Sequence, residues 1–177
     1  MRQVSSREVY RNPWITVRED EVELPDGSTG IYGVVDRPDF ALVIPREDDG
    51  SLWLVEQYRY TIGRRAWEFP QGTWPPGGRR GTAEELAAAE LREEPGLRAG
   101  QLRHLGHLYT AYGFSSQGYD VWLATGLRQG EPEREATEQD MVHRLIPVGA
   151  FEGMIQTGEI FDSNTIAAYS LLRLLGA

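Results

Sequence analysis

The chain has 177 residues, 40 % of them hydrophobic and 25 % charged, with 27 acidic against 18 basic side chains and a formal charge of −9. That length supports one domain with a real core and a small accessory part, and the acidic balance argues against broad contact with nucleic acid. Cysteine is absent and every basic residue is arginine, which excludes a disulfide, a thiol nucleophile, a thiolate metal site and a lysine Schiff base.

No apolar run approaches the roughly 20 residues that a membrane span needs. The opening MRQVSSREVYRNPW lacks the hydrophobic region of a signal peptide. The expectation is a cytoplasmic protein that meets no membrane.

In chain order, REVYRNPWITVREDEVELPDGSTGIYGVVDRPDFALVIP reads as β structure: ITVREDEVEL partly alternates, PDG marks a turn, and GIYGVV resumes the strand pattern. LWLVEQYRY is a further strand after the acidic turn REDDG, and PQGTWPPGGRRG is a loop dense in Pro and Gly. Thr82 with Glu85 three residues later forms a capping box. It opens a helix that runs to about Glu94, where Pro95-Gly96 stops it. LRHLGHLYTAYGF and GYDVWLATGL supply more strands, and GEPEREATEQD is a polar acidic loop. VGAFEGMIQTGE predicts a short helix, and SNTIAAYSLLRLLG a closing helix packed by Ile166, Leu171, Leu172 and Leu175. A strand-rich front, one acidic central helix and a closing helix predict α+β layers around a mixed sheet.

The central helix carries the chemical signal. At about 100° per residue, Ala83, Leu86 and Ala87 form an apolar stripe. Continued by a turn, that stripe runs into Glu90 and Glu94, with Glu93 beside them, whereas Glu84 and Glu85 project away as solvated charges. Burying unpaired carboxylates is expensive. Three oxygen donors at i, i+3 and i+4, beside a Gly-rich loop with open carbonyls, suit a hard divalent cation such as Mg²⁺. A bound cation would offset the cost of burial, polarise a phosphoryl oxygen and activate water.

WEFPQG, the loop after it and AELREEPGL together resemble a Nudix box, the signature of hydrolases of nucleoside diphosphates linked to another moiety. Gly72 opens it, and Glu90, Leu91, Glu93, Glu94, Gly96 and Leu97 match its end. VEQYRY, YGFSSQ and GEIFDSNTIAAYSLL resemble the ADP-ribose pyrophosphatase branch, so the likeness covers most of the chain. It implies the Nudix fold, an α/β/α sandwich around a mixed β-sheet with an N-terminal antiparallel β subdomain. The implied division is residues 1–38 for dimerisation and base binding and residues 39–177 for the hydrolase domain.

The box also departs from the family pattern. Gly72 to Glu90 is three residues longer, Gly81 stands where the pattern has its first Glu, Ala89 replaces its Arg, and Pro95 replaces a small polar residue. In the family that Glu and Arg support the metal glutamates from behind. Pro95 also disfavours the helical region for Glu94.

The resemblance implies that Glu90 and Glu94 bind Mg²⁺ (or Mn²⁺) directly, that Glu93 binds or bridges, and that the main-chain carbonyl of Gln71 completes the site. The general base is expected on the late acidic loop, where Glu138 is favoured over Asp140. Arg59 is the best pyrophosphate contact, because a guanidinium fork fits phosphate oxygens. Arg64, Arg65, Arg79 and Arg80 are expected as surface charges. Trp14 and Tyr32 flank PDGS on two strands and resemble a ring pair that sandwiches adenine in family dimers, which implies a homodimer. His104, His107 and His143 have no ligand-like spacing and are expected to take no catalytic part.

The function so implied is Mg²⁺-dependent hydrolysis of a nucleoside diphosphate sugar such as ADP-ribose to a nucleoside monophosphate and a sugar phosphate. Two alternatives stay open at this point. One is an impaired Nudix-fold binding or sensor module, and the other a hydrolase of nucleoside triphosphates or dinucleoside polyphosphates.

Overall fold

In the computed structural model, which describes residues 1–77, 81–134 and 138–176, three antiparallel strands open the chain: β1 (Arg2–Arg11), β2 (Thr16–Glu23) and β3 (Thr29–Asp36). The β2–β3 turn is set by its residue types. The Asp26 carboxylate accepts the Ser28 N–H at 3.0 Å, and Gly27 takes the positive φ of 84°.

There follow β4 (Phe40–Pro45), β5 (Leu52–Arg59), a single 3₁₀ turn (Tyr60–Ile62), β6 (Arg64–Glu68), β7 (Gln71–Gly72), α1 (Ala83–Glu93) and β8 (Leu97–Arg98). The chain continues through β9 (Gln101–Tyr109), β10 (Gly118–Thr125), β11 (Arg128–Gln129), β12 (Val142–Ile146), α2 (Val148–Thr157) and α3 (Ser163–Leu174). One sheet has the order β7-β4-β10-β9, with β4 and β10 parallel and the other pairs antiparallel, so it is mixed as expected. A second, antiparallel sheet has the order β12-β5-β6, and β8 pairs with β11.

The mixed sheet is covered on both sides, and its side-chain alternation sorts the two cores. Leu42 and Ile44 of β4 and Val121 and Leu123 of β10 pack with the second sheet, with Phe151 of α2, and with Ala168, Tyr169 and Leu172 of α3. The intervening Ala41, Val43, Trp122 and Ala124 pack against Leu86, Ala87 and Leu91 of α1. A strand buried on both faces reads as a continuous apolar run, as FALVIP does. The result is the α/β/α sandwich. Among the described residues no helix is long and apolar enough to cross a membrane.

Both closing hydrogen bonds of the Thr82–Glu85 capping box are present, at 2.9 and 3.1 Å. Two packing expectations need correction. Ala83 is exposed, because the first turn of α1 stands clear of the sheet and the buried stripe begins at Leu86. Leu175 is 53 % exposed, since α3 ends at Leu174 and buries Thr165, Ala168, Tyr169 and Leu172 instead.

Segment 68–72 is pinned from two sides, which matters for the site. The Phe69 N–H donates to Thr165 Oγ1 at 2.9 Å, and Val43 N–H donates to the Pro70 carbonyl at 2.9 Å.

Candidate active site

The α1 stripe does end in buried acid. Glu90 is 7 % exposed and Glu94 only 1 %, while Glu84 and Glu85 lie in solvent. Glu94 caps the helix, with its N–H on the Glu90 carbonyl at 3.1 Å. Its φ and ψ of −79° and −68° are helical despite the following proline, so the backbone holds it where Pro95 disfavours it. Glu94 Oε2 accepts the Gln71 N–H at 3.1 Å. Burial, then the charges of Glu90, Glu138 and Glu68, push the Glu94 carboxyl well above the usual range, and the Gln71 N–H opposes them.

Two glycines of the box are required by close approach. A Cβ on Gly72 would sit 2.6 Å from both carboxylate oxygens of Glu90, so the bare Cα is the cradle in which that carboxylate rests. Gly96 has a φ of +75°, and a Cβ there would meet the Gly130 carbonyl oxygen and the Pro132 nitrogen at 2.7 Å. The chain after α1 thus crosses directly beneath the late acidic loop.

A cavity of about 750 Å³ is lined by Glu90, Glu93, Glu94 and Glu138, with Arg59 and Trp14 also on its wall. A second, of about 620 Å³, contains Asp162 and Phe114 and shares Arg59, Gln71 and Gly72 with the first. Both fall in the size range of ligand pockets. Among the described residues no three acidic or imidazole side chains close around one ion-sized point. Glu93 pairs with Arg92 at 3.2 Å and Glu94 with the Gln71 amide, so the carboxylates share a wall rather than a finished cage.

Sequence reasoning overlooked Glu68. It is 2 % exposed, and its Oε2 accepts from Arg59 Nη2 at 2.7 Å and Gln71 Nε2 at 2.9 Å, while Oε1 is buried without a hydrogen-bond partner. Burial raises its pKa and Arg59 opposes the rise. Gln71 Nε2 also donates to Asp162 Oδ2 at 3.2 Å, and Asp162 caps α3 through the Thr165 N–H. The available signal was a carboxylate between two large apolar residues in AWEF, on a strand otherwise bound for the core.

The remaining expected residues separate clearly. Glu138 faces the glutamate cavity, whereas Asp140 is 62 % exposed and held by Arg65 at 2.7 Å. Arg59 lies at the junction of the two cavities and pairs with Glu68. Trp14 lies in the turn between β1 and β2 rather than on a strand, because Asn12 Oδ1 accepts its N–H at 2.8 Å and turns the chain. Tyr32 is on β3, outside both cavities, with its hydroxyl donating to the Gly113 carbonyl at 2.6 Å. One chain therefore does not bring the two rings together. Arg65 is an ion-pairing residue rather than a bare surface charge, and Arg64 lies over the Phe161 ring at 3.9 Å. Arg79 and Arg80, in the lengthened loop, are outside the described residues.

Residues 36–169 match the NUDIX domain, and residues 1–35 match the nucleoside diphosphate sugar hydrolase N-terminal domain. The chain belongs to the Nudix family. It is 37 % identical over 165 residues to the ADP-ribose pyrophosphatase of Mycobacterium tuberculosis (strain ATCC 25618 / H37Rv), covering 93 % of this chain and 79 % of that one. It is 27 % identical to the ADP-ribose pyrophosphatase of Bacillus subtilis (strain 168), covering 97 % and 91 % of the two chains. A crystal structure of an ADP compounds hydrolase shares the fold with a TM-score of 0.84 at 22 % identity, covering 98 % of this chain and 92 % of that one. This Nudix hydrolase is thus a pyrophosphohydrolase of a family that generally works with a divalent metal ion.

The residues present fit such an ion. The deepest carboxylate stays charged only against burial and like charges, and the Glu90 carboxylate occupies space that any side chain at position 72 would take. The altered box positions also find their places. Ala89 is buried on the cavity wall one turn after Glu85, and a Cβ on Gly81 would press on the Glu85 carboxylate.

Proposed function

We propose that this Nudix hydrolase cleaves the pyrophosphate bond of a nucleoside diphosphate sugar such as ADP-ribose, with Mg²⁺ as its metal and Mn²⁺ as a substitute. The products are a nucleoside monophosphate and a sugar phosphate. The observation that carries this reading is the buried acid wall of Glu90 and Glu94 facing Glu138, with Arg59 beside it at the junction of two cavities.

Glu90, Glu94, Glu93 and the Gln71 carbonyl hold the metal in this reading. When bound, the ion polarises a phosphoryl oxygen and lowers the pKa of water. Glu138 takes the proton of the attacking water, a role that Asp140, committed to Arg65, is not placed to share. Arg59 has further guanidinium donors beyond those on Glu68 and offers them to the pyrophosphate oxygens. The water oxygen bonds to one phosphorus, the bridging oxygen leaves with the other, and the abstracted proton balances the charge.

Residues 1–38 serve in this reading as the dimerisation and base-binding part, and residues 39–177 as the hydrolase domain. Support for a homodimer comes from β1, which is exposed along its whole length with Val4, Val9 and Tyr10 about half open to solvent. Such an edge invites a partner strand. Trp14 on the glutamate cavity offers a face for the base, and Tyr32 would meet that base only from a second subunit. The cytoplasm, where nucleotide sugars turn over, is the compartment that suits this chemistry.

The test is incubation with Mg²⁺ or Mn²⁺ and a panel of nucleotide sugars, nucleoside triphosphates and dinucleoside polyphosphates, followed by chromatography. AMP and ribose phosphate from ADP-ribose, lost on adding EDTA, are expected. Calorimetric nucleotide binding without any product would instead assign the binding-module reading, which Gly81 and Ala89 favour.

A further inference from the structure

α1 ends abruptly at Pro95, which leaves the carbonyls of Glu93 and Glu94 without the amides that a longer helix would supply. Both are taken by the loop that carries Glu138. The Glu133 N–H donates to the Glu93 carbonyl at 3.1 Å, and Arg134 Nε donates to the Glu94 carbonyl at 3.3 Å. A guanidinium at a helix C-terminus is also favoured by the helix dipole. Arg134 has a second hold: its Nη2 lies 2.9 Å from His143 Nδ1, on β12 beyond the loop.

A guanidinium has donors only, so Nδ1 must be the bare nitrogen and His143 the neutral tautomer protonated at Nε2. Burial and the Arg134 charge both hold the imidazole below its usual pKa, which keeps that acceptor at neutral pH. The ring packs against Trp53 at 5.8 Å, and its strand is in register with Val55 of β5. Within the loop, Gln139 Nε2 donates to the Arg134 carbonyl at 3.0 Å, next to Glu138 in sequence.

We propose that Arg134 is a positioning residue for hydrolysis: it spans from the main-chain carbonyl of the metal-binding Glu94 to His143 and, through the Gln139 side chain on its own carbonyl, sets where the neighbouring Glu138 stands against the glutamate wall, with His143 as its anchor. The proposal rests on the reading of Glu138 as the general base. Arg134 acts through Glu138 and touches neither metal nor substrate. A shift of about 1 Å in a catalytic group costs on the order of 100-fold in rate, so releasing this tie should act on kcat rather than on binding.

The experiment compares Arg134→Ala, His143→Leu and His143→Asn in the full-length chain by ADP-ribose hydrolysis with Mg²⁺ and by amide hydrogen exchange. Asn retains an acceptor oxygen where Nδ1 lies, and Leu does not. Arg134→Ala and His143→Leu are expected to lower kcat about 10- to 100-fold with KM within about 2-fold. They should also speed exchange at Met141, whose N–H donates to the Glu138 carbonyl at 2.9 Å. His143→Asn should restore most of both readouts, which a loss of mere bulk would not explain. Unchanged exchange at Met141 in Arg134→Ala overturns the proposal itself. Faster exchange with a wild-type kcat overturns it through Glu138, which would then not be the base.

Discussion

Gly72→Ala separates the site from the fold more cleanly than any change to a charged residue. Gly72 pairs with Ala41 in the mixed sheet, and its backbone is not in the left-handed region, so alanine meets no conformational penalty there. The new methyl carbon would lie 2.6 Å from each Glu90 carboxylate oxygen and 2.7 Å from Cδ. Van der Waals separation then requires Glu90 to retreat by about 0.5–1 Å. A side-chain terminus can do that cheaply, and the lost chain entropy of glycine offsets part of the strain by about 0.4–1 kcal/mol. Thermal or urea unfolding should therefore report a stability within about 1 kcal/mol of wild type. Catalysis should not escape so lightly. A displaced metal carboxylate is expected to lower kcat on the order of 100-fold and to raise the Mg²⁺ concentration for half-maximal rate. A Gly72→Ala variant with wild-type kcat and wild-type Mg²⁺ dependence would refute both the cradle and the assignment of Glu90 to the metal.

Glu94→Gln should abolish metal-dependent turnover, by at least about 100-fold, while the protein folds. Because burial and neighbouring charges raise the Glu94 pKa in the fold, the metal-free protein loses stability as pH rises from the ordinary carboxylate range through the raised value. The Gln variant should lack that loss when Tm is followed against pH in EDTA. Glu138→Gln is expected to lower kcat about 10²- to 10⁴-fold. Asp140→Asn removes only an exposed ion pair with Arg65 and should cost under about 1 kcal/mol in denaturant unfolding, with kcat little changed. Trp14→Ala should raise KM about 10-fold, the worth of one base stacked on an aromatic ring, and leave kcat within about 2-fold. A wild-type KM would remove Trp14 from the base site.

What could be read in advance depended on whether the signal was local. The capping box at Thr82 and the glutamates placed at helical spacing follow from the backbone period alone, and both stand in the structure. FALVIP was legible as a strand, but its burial on both faces depends on where α1 and α3 dock, which no local pattern states. The error at Ala83 has the same origin: periodicity gives a direction around the helix and not the depth of the sheet beneath its first turn. Trp14 was misplaced because Asn12 turns the chain just before it, through two side-chain acceptances of 2.8 Å from the amides of Trp14 and Ile15. Glu68 and Asp162 are 94 residues apart in sequence and share the Gln71 Nε2 donor. Their partnership is tertiary, so their site was invisible while their individual residue types were not.

The altered box replaces side-chain supports with small residues. In the family pattern a Glu and an Arg brace the metal glutamates with side chains, and here Gly81 and Ala89 provide neither. Removing one member of a partly buried ion pair leaves a charge that costs about 3–5 kcal/mol, while removing both can be nearly neutral. Joint replacement by two small residues is the version of this change that a fold tolerates, and alanine also suits a helix interior. Among the described residues, part of the bracing comes from the main chain. Glu90 rests on the bare Cα of Gly72, Glu94 accepts the Gln71 amide, and Gly96 lets the late loop cross close enough for Gly130 to donate to the Gly96 carbonyl at 2.7 Å. Arg134 adds a side-chain brace on the Glu94 carbonyl. Main-chain groups on paired strands and a helix end have little rotamer entropy to lose, so they orient a carboxylate at small entropic cost. That is the physical ground on which a box lacking its Glu–Arg pair can keep Glu90 and Glu94 in place.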